Sequence, residues 1–120
     1  MARILLADDD GATRDLVKRA LGTDGHTVTS TQDGSEALDA IMATPSGFDL
    51  LISDVQMPGL DGIGLAEHAL GAAPGLRIIL MSGFAGELDR ADHLKGKLAK
   101  VIIKPFTLDE IRTAVKAALA

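Results

Sequence analysis

The chain has 120 residues and a hydrophobic content of 47%, which is enough apolar material for one packed core, so we expect residues 1–120 to form one domain. Its formal net charge of -5 argues against a nucleic-acid-binding surface, and the absence of cysteine excludes disulfides and thiolate metal sites. Acidic residues interrupt the first apolar run after Ala7, so that run is too short for a secretory signal or a membrane span, and we expect a cytoplasmic protein that binds neither nucleic acid nor membrane.

Short apolar runs alternate with longer amphipathic stretches along the whole chain. The short runs predict strands at residues 3–7, 26–30, 50–53, 77–81 and 101–103. Four of these runs are continuously apolar, as is typical of strands buried on both faces. Residues 26–30 are more polar, and we expect this strand at an edge of the sheet.

The amphipathic stretches between the strands predict helices over residues 12–21, 35–43 and 63–70, and a last helix with an apolar stripe from Leu108 to Leu119. Thr107 and Glu110 form a predicted capping box at the start of that last helix. Residues 85–98 have apolar residues at roughly helical spacing, but two glycines weaken the helix prediction there. The expected apolar faces of the first two helices consist of Leu16, Val17, Ala20 and Leu21, and of Ala37, Leu38, Ile41 and Met42.

Strands that alternate with helices indicate βαβ units, and five of them indicate a doubly wound α/β fold with a five-stranded parallel sheet. In such a sheet the carboxyl ends of all strands lie at one rim. Ligands bind outside these ends, at the point where the strand order reverses. The residues that follow the strands are therefore the first candidates for a functional site.

Residues with distinctive chemistry follow four of the five predicted strands. Asp8 and Asp9 follow the first strand, Asp54 follows the third, Ser82 follows the fourth and Lys104 follows the fifth. Three carboxylates about 4 Å apart repel one another by roughly 1–4 kcal/mol per pair in a partly wet site, so they need a proton or a cation. Mg²⁺ fits because it prefers oxygen ligands and leaves positions for phosphate. With Lys104 and the Ser82 hydroxyl as contacts for phosphoryl oxygens, the set predicts phosphoryl transfer to a carboxylate.

Four segments of the chain resemble the receiver domain of two-component response regulators, in that family's order and near its spacing. They are ILLADDD with Arg14 following, LLISDVQMPGLDG, IILMSGFA and VIIKPFT, and the resemblance extends from Arg3 to the C-terminus. It implies a CheY-like sheet with strand order 2-1-3-4-5. It also implies a cis peptide bond between Lys104 and Pro105.

The same resemblance assigns roles to the residues at the rim. Asp54 would be the phosphoacceptor, and a histidine kinase or a histidine phosphotransfer protein would supply the phosphoryl group. Asp9, Asp54 and the backbone carbonyl of Gln56 would bind Mg²⁺ directly, and Asp8 would act through water. Ser82 would be the switch hydroxyl, and Lys104 would be the phosphate-binding lysine.

Within the family the chain resembles single-domain receivers that act as phosphorylation-controlled adaptors of the ClpXP protease. We therefore expect a regulatory protein, not an enzyme with a separate substrate, that catalyses only its own phosphorylation and dephosphorylation. Its output would be a protein-binding surface within residues 87–120, with ClpX as one candidate target. Phosphate relay and control of a motor or an enzyme are the other outputs that the sequence leaves open.

One position departs from the family pattern: receivers commonly have an aromatic residue three positions before the lysine, where this chain has Val101. We therefore expect a smaller rearrangement of the loop that holds Phe84 in place of the usual movement of an aromatic ring. Phe84 also follows Ser82 by two positions, where family members control the access of water to the phosphoryl group. This predicts slow self-dephosphorylation.

Other interpretations of these residues are weaker than the combined pattern. Asp10 suits a helix N-cap better than a metal ligand. A phosphatase with an aspartate nucleophile would need an acid at Gln56, and a flavin or nucleotide carrier would need a glycine-rich loop after the first strand. A pseudo-receiver that binds partners without phosphorylation is the main alternative, although such proteins typically lack Asp54, Asp9 or Lys104.

Overall fold

One sheet of five parallel strands forms the centre of the computed structural model, which describes residues 1–120. Its strands are β1 (Arg3–Ala7), β2 (Thr27–Thr31), β3 (Leu50–Asp54), β4 (Arg77–Ser82) and β5 (Lys100–Ile103). They are arranged in the order β2-β1-β3-β4-β5, which confirms the predicted topology. The central strand β3 is buried throughout, whereas β2 lies at an edge and is partly exposed, as its polar sequence predicts.

Four α helices and one 3₁₀ segment connect or follow these strands. The helices are α1 (Gly11–Thr23), α2 (Gly34–Ala43), α3 (Gly62–Ala72) and α4 (Leu108–Leu119), and the 3₁₀ segment is Ala85–Leu94. Asp10 caps α1 by accepting a hydrogen bond from the backbone N–H of Ala12 at 3.2 Å, which confirms its predicted role. The capping box of Thr107 and Glu110 is also present. None of the helices has the length and apolar character needed to cross a bilayer.

Helices cover both faces of the sheet, so alternate strand residues contribute to two separate cores. Residues such as Leu5 and Leu51 pack with α2, α3 and the 3₁₀ segment, and Leu6 and Ile52 pack with α1 and α4. Two predictions about the helix faces are wrong: Leu16 is 51% exposed and Met42 is 59% exposed. Each is adjacent in sequence to a buried residue, and successive helical residues point about 100° apart, so both lie at the margin of the apolar stripe.

The strand register brings the candidate residues to one rim. Ala7 of β1 pairs with Ser53 of β3, so Asp8 follows β1 beside Asp54. Asp54 in turn pairs with Met81 of β4. Because β1 has β2 on one side and β3 on the other, the strand order reverses here, and a crevice opens outside these strand ends.

Candidate functional site

Three carboxylates meet at this rim. Asp8 is completely buried, Asp54 is 7% exposed and Asp9 is exposed to solvent. One carboxylate oxygen of each residue lies within 4.8 Å of the other two. Oδ1 of Asp8 accepts a hydrogen bond from the backbone N–H of Asp10 at 2.9 Å, but its Oδ2 is buried and has no hydrogen-bond partner. Burial raises the pKa of Asp8, and the neighbouring carboxylates add to this effect.

Lys104 is the cation that faces these carboxylates. Its Nζ donates a hydrogen bond to Asp54 Oδ2 at 2.8 Å and lies 3.6 Å from Asp8 Oδ2. Burial alone would lower the pKa of Lys104, but the hydrogen bond that it donates to Asp54 and the negative charges nearby raise this pKa above the ordinary value. One lysine thus faces three carboxylates, and an additional divalent cation would offset the excess negative charge and satisfy the free oxygen of Asp8. The peptide bond from Lys104 to Pro105 is cis, as expected.

The loop after Asp54 forms one wall of the cleft, and two glycines determine its path. Gly59 has a φ of 74°, in the left-handed region that favours glycine. Gly62 donates a hydrogen bond to the carbonyl of Val55 at 2.8 Å, and a Cβ atom at Gly62 would lie 2.2 Å from the Asp54 carbonyl oxygen. The close approach of α3 to Asp54 therefore depends on Gly62. Gln56 lies in this loop and lines the cleft.

Ser82 ends β4 at the same rim, but its hydroxyl is bonded within its own loop. Ser82 Oγ lies 2.6 Å from the carbonyl oxygen of Phe84 and 2.7 Å from Glu87 Oε1. Glu87 is only 6% exposed, and its place in this site was not predicted from the sequence. A single acidic residue in a segment with weak periodicity gives no signal of burial, since glutamates are seldom buried without a partner. Phe84 is 56% exposed.

An ion pair that was not predicted from the sequence lies across the cleft. Asp61 is the N-cap residue of α3, and Arg90 of the 3₁₀ segment donates a hydrogen bond to its Oδ2 at 2.9 Å. Burial would raise the pKa of Asp61, but hydrogen bonds from the Gly64 N–H and from Arg90 hold it below the ordinary value. The cleft is lined by Asp9, Asp54, Val55, Gln56, Met57, Pro58, Gly59, Asp61, Gly83, Glu87, Arg90 and Lys104.

The fold and the cleft together define a doubly wound α/β protein with an acidic, lysine-containing site at the point where the strand order reverses. The family model of the response regulator receiver domain matches residues 4–116. The chain therefore belongs to the receiver domain family of two-component response regulators, whose members are phosphorylation-dependent switches.

Individual relatives agree with this assignment. The response regulator receiver protein CpdR of Brucella abortus is 37% identical over 99% of this chain and 98% of its own length. The response regulator MprA of Mycobacterium tuberculosis is 34% identical over 98% of this chain, which spans 50% of the length of MprA. The crystal structure of the response regulator TrrA from Thermotoga maritima, in complex with Mg²⁺ and BeF, superposes with a TM-score of 0.84 at 30% identity, covering 99% of this chain and all of that chain.

Proposed function

We propose that residues 1–120 act as one receiver domain in which Asp54 accepts a phosphoryl group from the phosphohistidine of a histidine kinase or a histidine phosphotransfer protein. The observation that carries this proposal is the environment of Asp54: a carboxylate 7% exposed, 2.8 Å from Lys104 Nζ and beside two further carboxylates. In the transfer, the P–N bond of the donor breaks and a bond forms between phosphorus and a carboxylate oxygen of Asp54. The imidazole keeps the electron pair of the broken bond and takes up a proton.

Mg²⁺ is the cofactor that we propose for this site. Asp9, Asp54 and the backbone carbonyl of Gln56 would bind it directly, and Asp8 would bind it through water. The free buried oxygen of Asp8 supports this assignment, because a water molecule bound to the cation would donate a hydrogen bond to that oxygen, and the nearby positive charge would offset the cost of burying the carboxylate. When bound, Mg²⁺ would supply positive charge that offsets the charge of the transferring phosphoryl group.

Lys104 and Ser82 are the side chains that we propose to contact the phosphoryl group. Lys104 Nζ already lies against Asp54, so a small movement brings its ammonium group to a phosphoryl oxygen. Ser82 must first exchange its present acceptors for a phosphoryl oxygen. Both side chains stabilise charge, as phosphoryl transfer requires, and neither forms a covalent bond.

The proposed output is a protein-binding surface within residues 87–120, which contains most of the 3₁₀ segment and all of β5 and α4. The protein would regulate a partner and catalyse only its own phosphorylation and dephosphorylation. The sequence similarity to CpdR supports an adaptor role toward the ClpXP protease, with ClpX as the bound partner. Purified ClpX should then bind the free form and the form carrying Mg²⁺ and beryllofluoride with different affinities; equal affinities, or no binding by either form, would refute the adaptor proposal.

Intact mass measured after incubation with acetyl phosphate and Mg²⁺ tests the role of Asp54. A phosphoryl group adds about 80 Da, and this gain should disappear in Asp54→Asn and in wild type treated with EDTA. A gain that survives Asp54→Asn would place the acceptor elsewhere. No gain in folded wild type, combined with no transfer from any phosphohistidine donor, would favour the pseudo-receiver alternative.

A further inference from the structure

Glu87 is a buried acid that the proposed phosphoryl chemistry does not use. Its side chain is 6% exposed, and Oε1 accepts hydrogen bonds from Ser82 Oγ at 2.7 Å and from the Gly83 N–H at 3.2 Å. Its other oxygen, Oε2, is buried and has no hydrogen-bond partner. A buried acid with one unpartnered oxygen is costly, so the hydrogen bonds that Glu87 does accept are needed to hold it in the loop that follows β4.

Those contacts also fix the Ser82 hydroxyl. A hydroxyl group has one proton, and Ser82 can donate it either to the Phe84 carbonyl at 2.6 Å or to Glu87 at 2.7 Å. A hydrogen bond to a carboxylate is the stronger of the two kinds. Glu87 therefore keeps the hydroxyl bonded within the loop, where it is not available to a group on Asp54.

Glu87 and Asp54 line the same cleft, so charge added at one affects the other. A phosphoryl group on Asp54 would carry roughly -1.5 to -2 charges. Like charges in a partly buried site repel, and the two side-chain cations of the cleft already have acidic partners: Lys104 contacts Asp54, and Arg90 contacts Asp61. Relative to the Mg²⁺-bound protein without a phosphoryl group, phosphorylation would thus make the buried position of Glu87 less favourable.

We propose that Glu87 is a positioning residue for Ser82 and that phosphorylation acts on the protein by displacing Glu87 from the cleft. This inference rests on the proposed role of Asp54. In the free form, Glu87 retains the Ser82 hydroxyl and holds the 3₁₀ segment Ala85–Leu94 against the rim. In the phosphorylated form, the hydroxyl turns to the phosphoryl group, and the segment moves with Glu87. This mechanism does not require an aromatic side chain at position 101, where the chain has Val101.

The variant Glu87→Gln tests the proposal because it keeps the shape of the side chain and removes its charge. The measurement uses the amide NMR signals of Ala85–Leu94. Free wild type defines the inactive state, and wild type saturated with Mg²⁺ and beryllofluoride defines the active state. The chemical shifts of a variant between these two limits give the fraction of the active state. Free Glu87→Gln should populate the active state roughly fivefold more than free wild type does, since a hydrogen bond to a charged acceptor is about twice as strong as one to a neutral acceptor. Asp89→Asn is the matched control, because Asp89 is an exposed acid of the same segment. A shift in Glu87→Gln no larger than that in Asp89→Asn would overturn the proposal.

A double variant separates positioning of Ser82 from a general effect of charge. In a Ser82→Ala background, replacing Glu87 by Gln should produce less than half the shift seen with Ser82 present. A shift of full size would overturn the positioning role. Wild type gives a test that is independent of variant folding: beryllofluoride with Mg²⁺ should move the side-chain carboxyl carbon signal of Glu87 toward that of the exposed Glu36, and an unmoved signal would overturn the proposal.

Labelling by acetyl phosphate in the same samples distinguishes failure of this inference from failure of the proposed function. Wild type that gains no phosphoryl mass from any donor refutes the role of Asp54, and with it the role of Glu87. Wild type that gains the mass at Asp54 but shows no response at Glu87 refutes the positioning role alone.

Discussion

Replacement of Asp8 by Asn should stabilise the metal-free protein, because the buried carboxylate of Asp8 lies among charges that repel it on balance. Lys104 Nζ lies 3.6 Å from Asp8 Oδ2, and carboxylate oxygens of Asp9 and Asp54 lie within 4.8 Å. With an effective dielectric constant of about 20, the attraction is about 4.6 kcal/mol and each repulsion is at least about 3.5 kcal/mol. The balance is about 2 kcal/mol of repulsion. Solvent around Asp9 reduces this repulsion, and the burial of Asp8 adds a desolvation cost to it. We expect Asp8→Asn to raise the free energy of unfolding by about 1–3 kcal/mol.

Urea unfolding in EDTA measures this gain, and far-UV circular dichroism is the suitable signal because the chain has no Trp or Tyr. With a slope of about 1–3 kcal/mol per molar urea, a gain of about 2 kcal/mol raises the midpoint by about 1 M. The gain should depend on pH, since burial raises the pKa of Asp8 above 3.8 and the folded state holds that proton more tightly than the unfolded state. Wild type therefore loses stability as the pH rises from 3.8 through the raised pKa, and Asp8→Asn does not.

Asp15→Asn is the control for this experiment, because Asp15 is an exposed acid on α1 and its replacement should change stability by no more than about 0.5 kcal/mol. Mg²⁺ should stabilise wild type more than Asp8→Asn and so narrow the difference between them. If Asp8→Asn were no more stable than Asp15→Asn at pH well above the Asp8 pKa in EDTA, the attraction of Lys104 would outweigh repulsion and burial, and the reasoning would be refuted.

Three other changes test different parts of the site. Lys104→Met should slow phosphorylation by acetyl phosphate by about 100-fold or more, as loss of a charge-stabilising donor does, and a rate close to that of wild type by intact mass would contradict its role. Gly62→Ala should lower stability by about 1–3 kcal/mol in urea, because its Cβ would lie 2.2 Å from the Asp54 carbonyl oxygen, whereas Gly71→Ala, with open space around it, should be neutral or stabilising. Phe84→Ala should shorten the lifetime of the phosphoryl group on Asp54, and an unchanged lifetime would show that the ring does not shield it.

Most of the fold could be predicted because the strands are the strongest signal in the sequence. The predicted runs 3–7, 50–53 and 77–81 lie within β1, β3 and β4, whose burial on both faces requires continuous apolar sequence. The edge strand β2 is displaced by one residue from the prediction, since polar residues leave its bounds less defined. Residues 85–98 form a 3₁₀ segment only to Leu94, and Gly96 then turns the chain with a φ of 87°.

The candidate site was predictable to the extent that it depends on where strands end. Asp8, Asp9, Asp54 and Lys104 converge because parallel strands place their carboxyl ends at one rim. The burial of Glu87 was not predictable, since it depends on how one loop folds around a single carboxylate. Side-chain contacts of this kind leave no periodic signal in the sequence.

Two buried carboxylate oxygens without hydrogen-bond partners lie at the rim, Asp8 Oδ2 and Glu87 Oε2, and the positive and negative charges that we propose for this site should have opposite effects on the burial of Glu87. Added positive charge relieves both carboxylates, so Mg²⁺ alone should leave Glu87 buried and the NMR signals of the 3₁₀ segment unmoved. Added negative charge on Asp54 disfavours Glu87, so Mg²⁺ with beryllofluoride should move those signals. Titration of wild type with Mg²⁺ and then with beryllofluoride separates the two steps. Movement of the 3₁₀ signals at the Mg²⁺ step would show that charge on Asp54 is not what Glu87 senses.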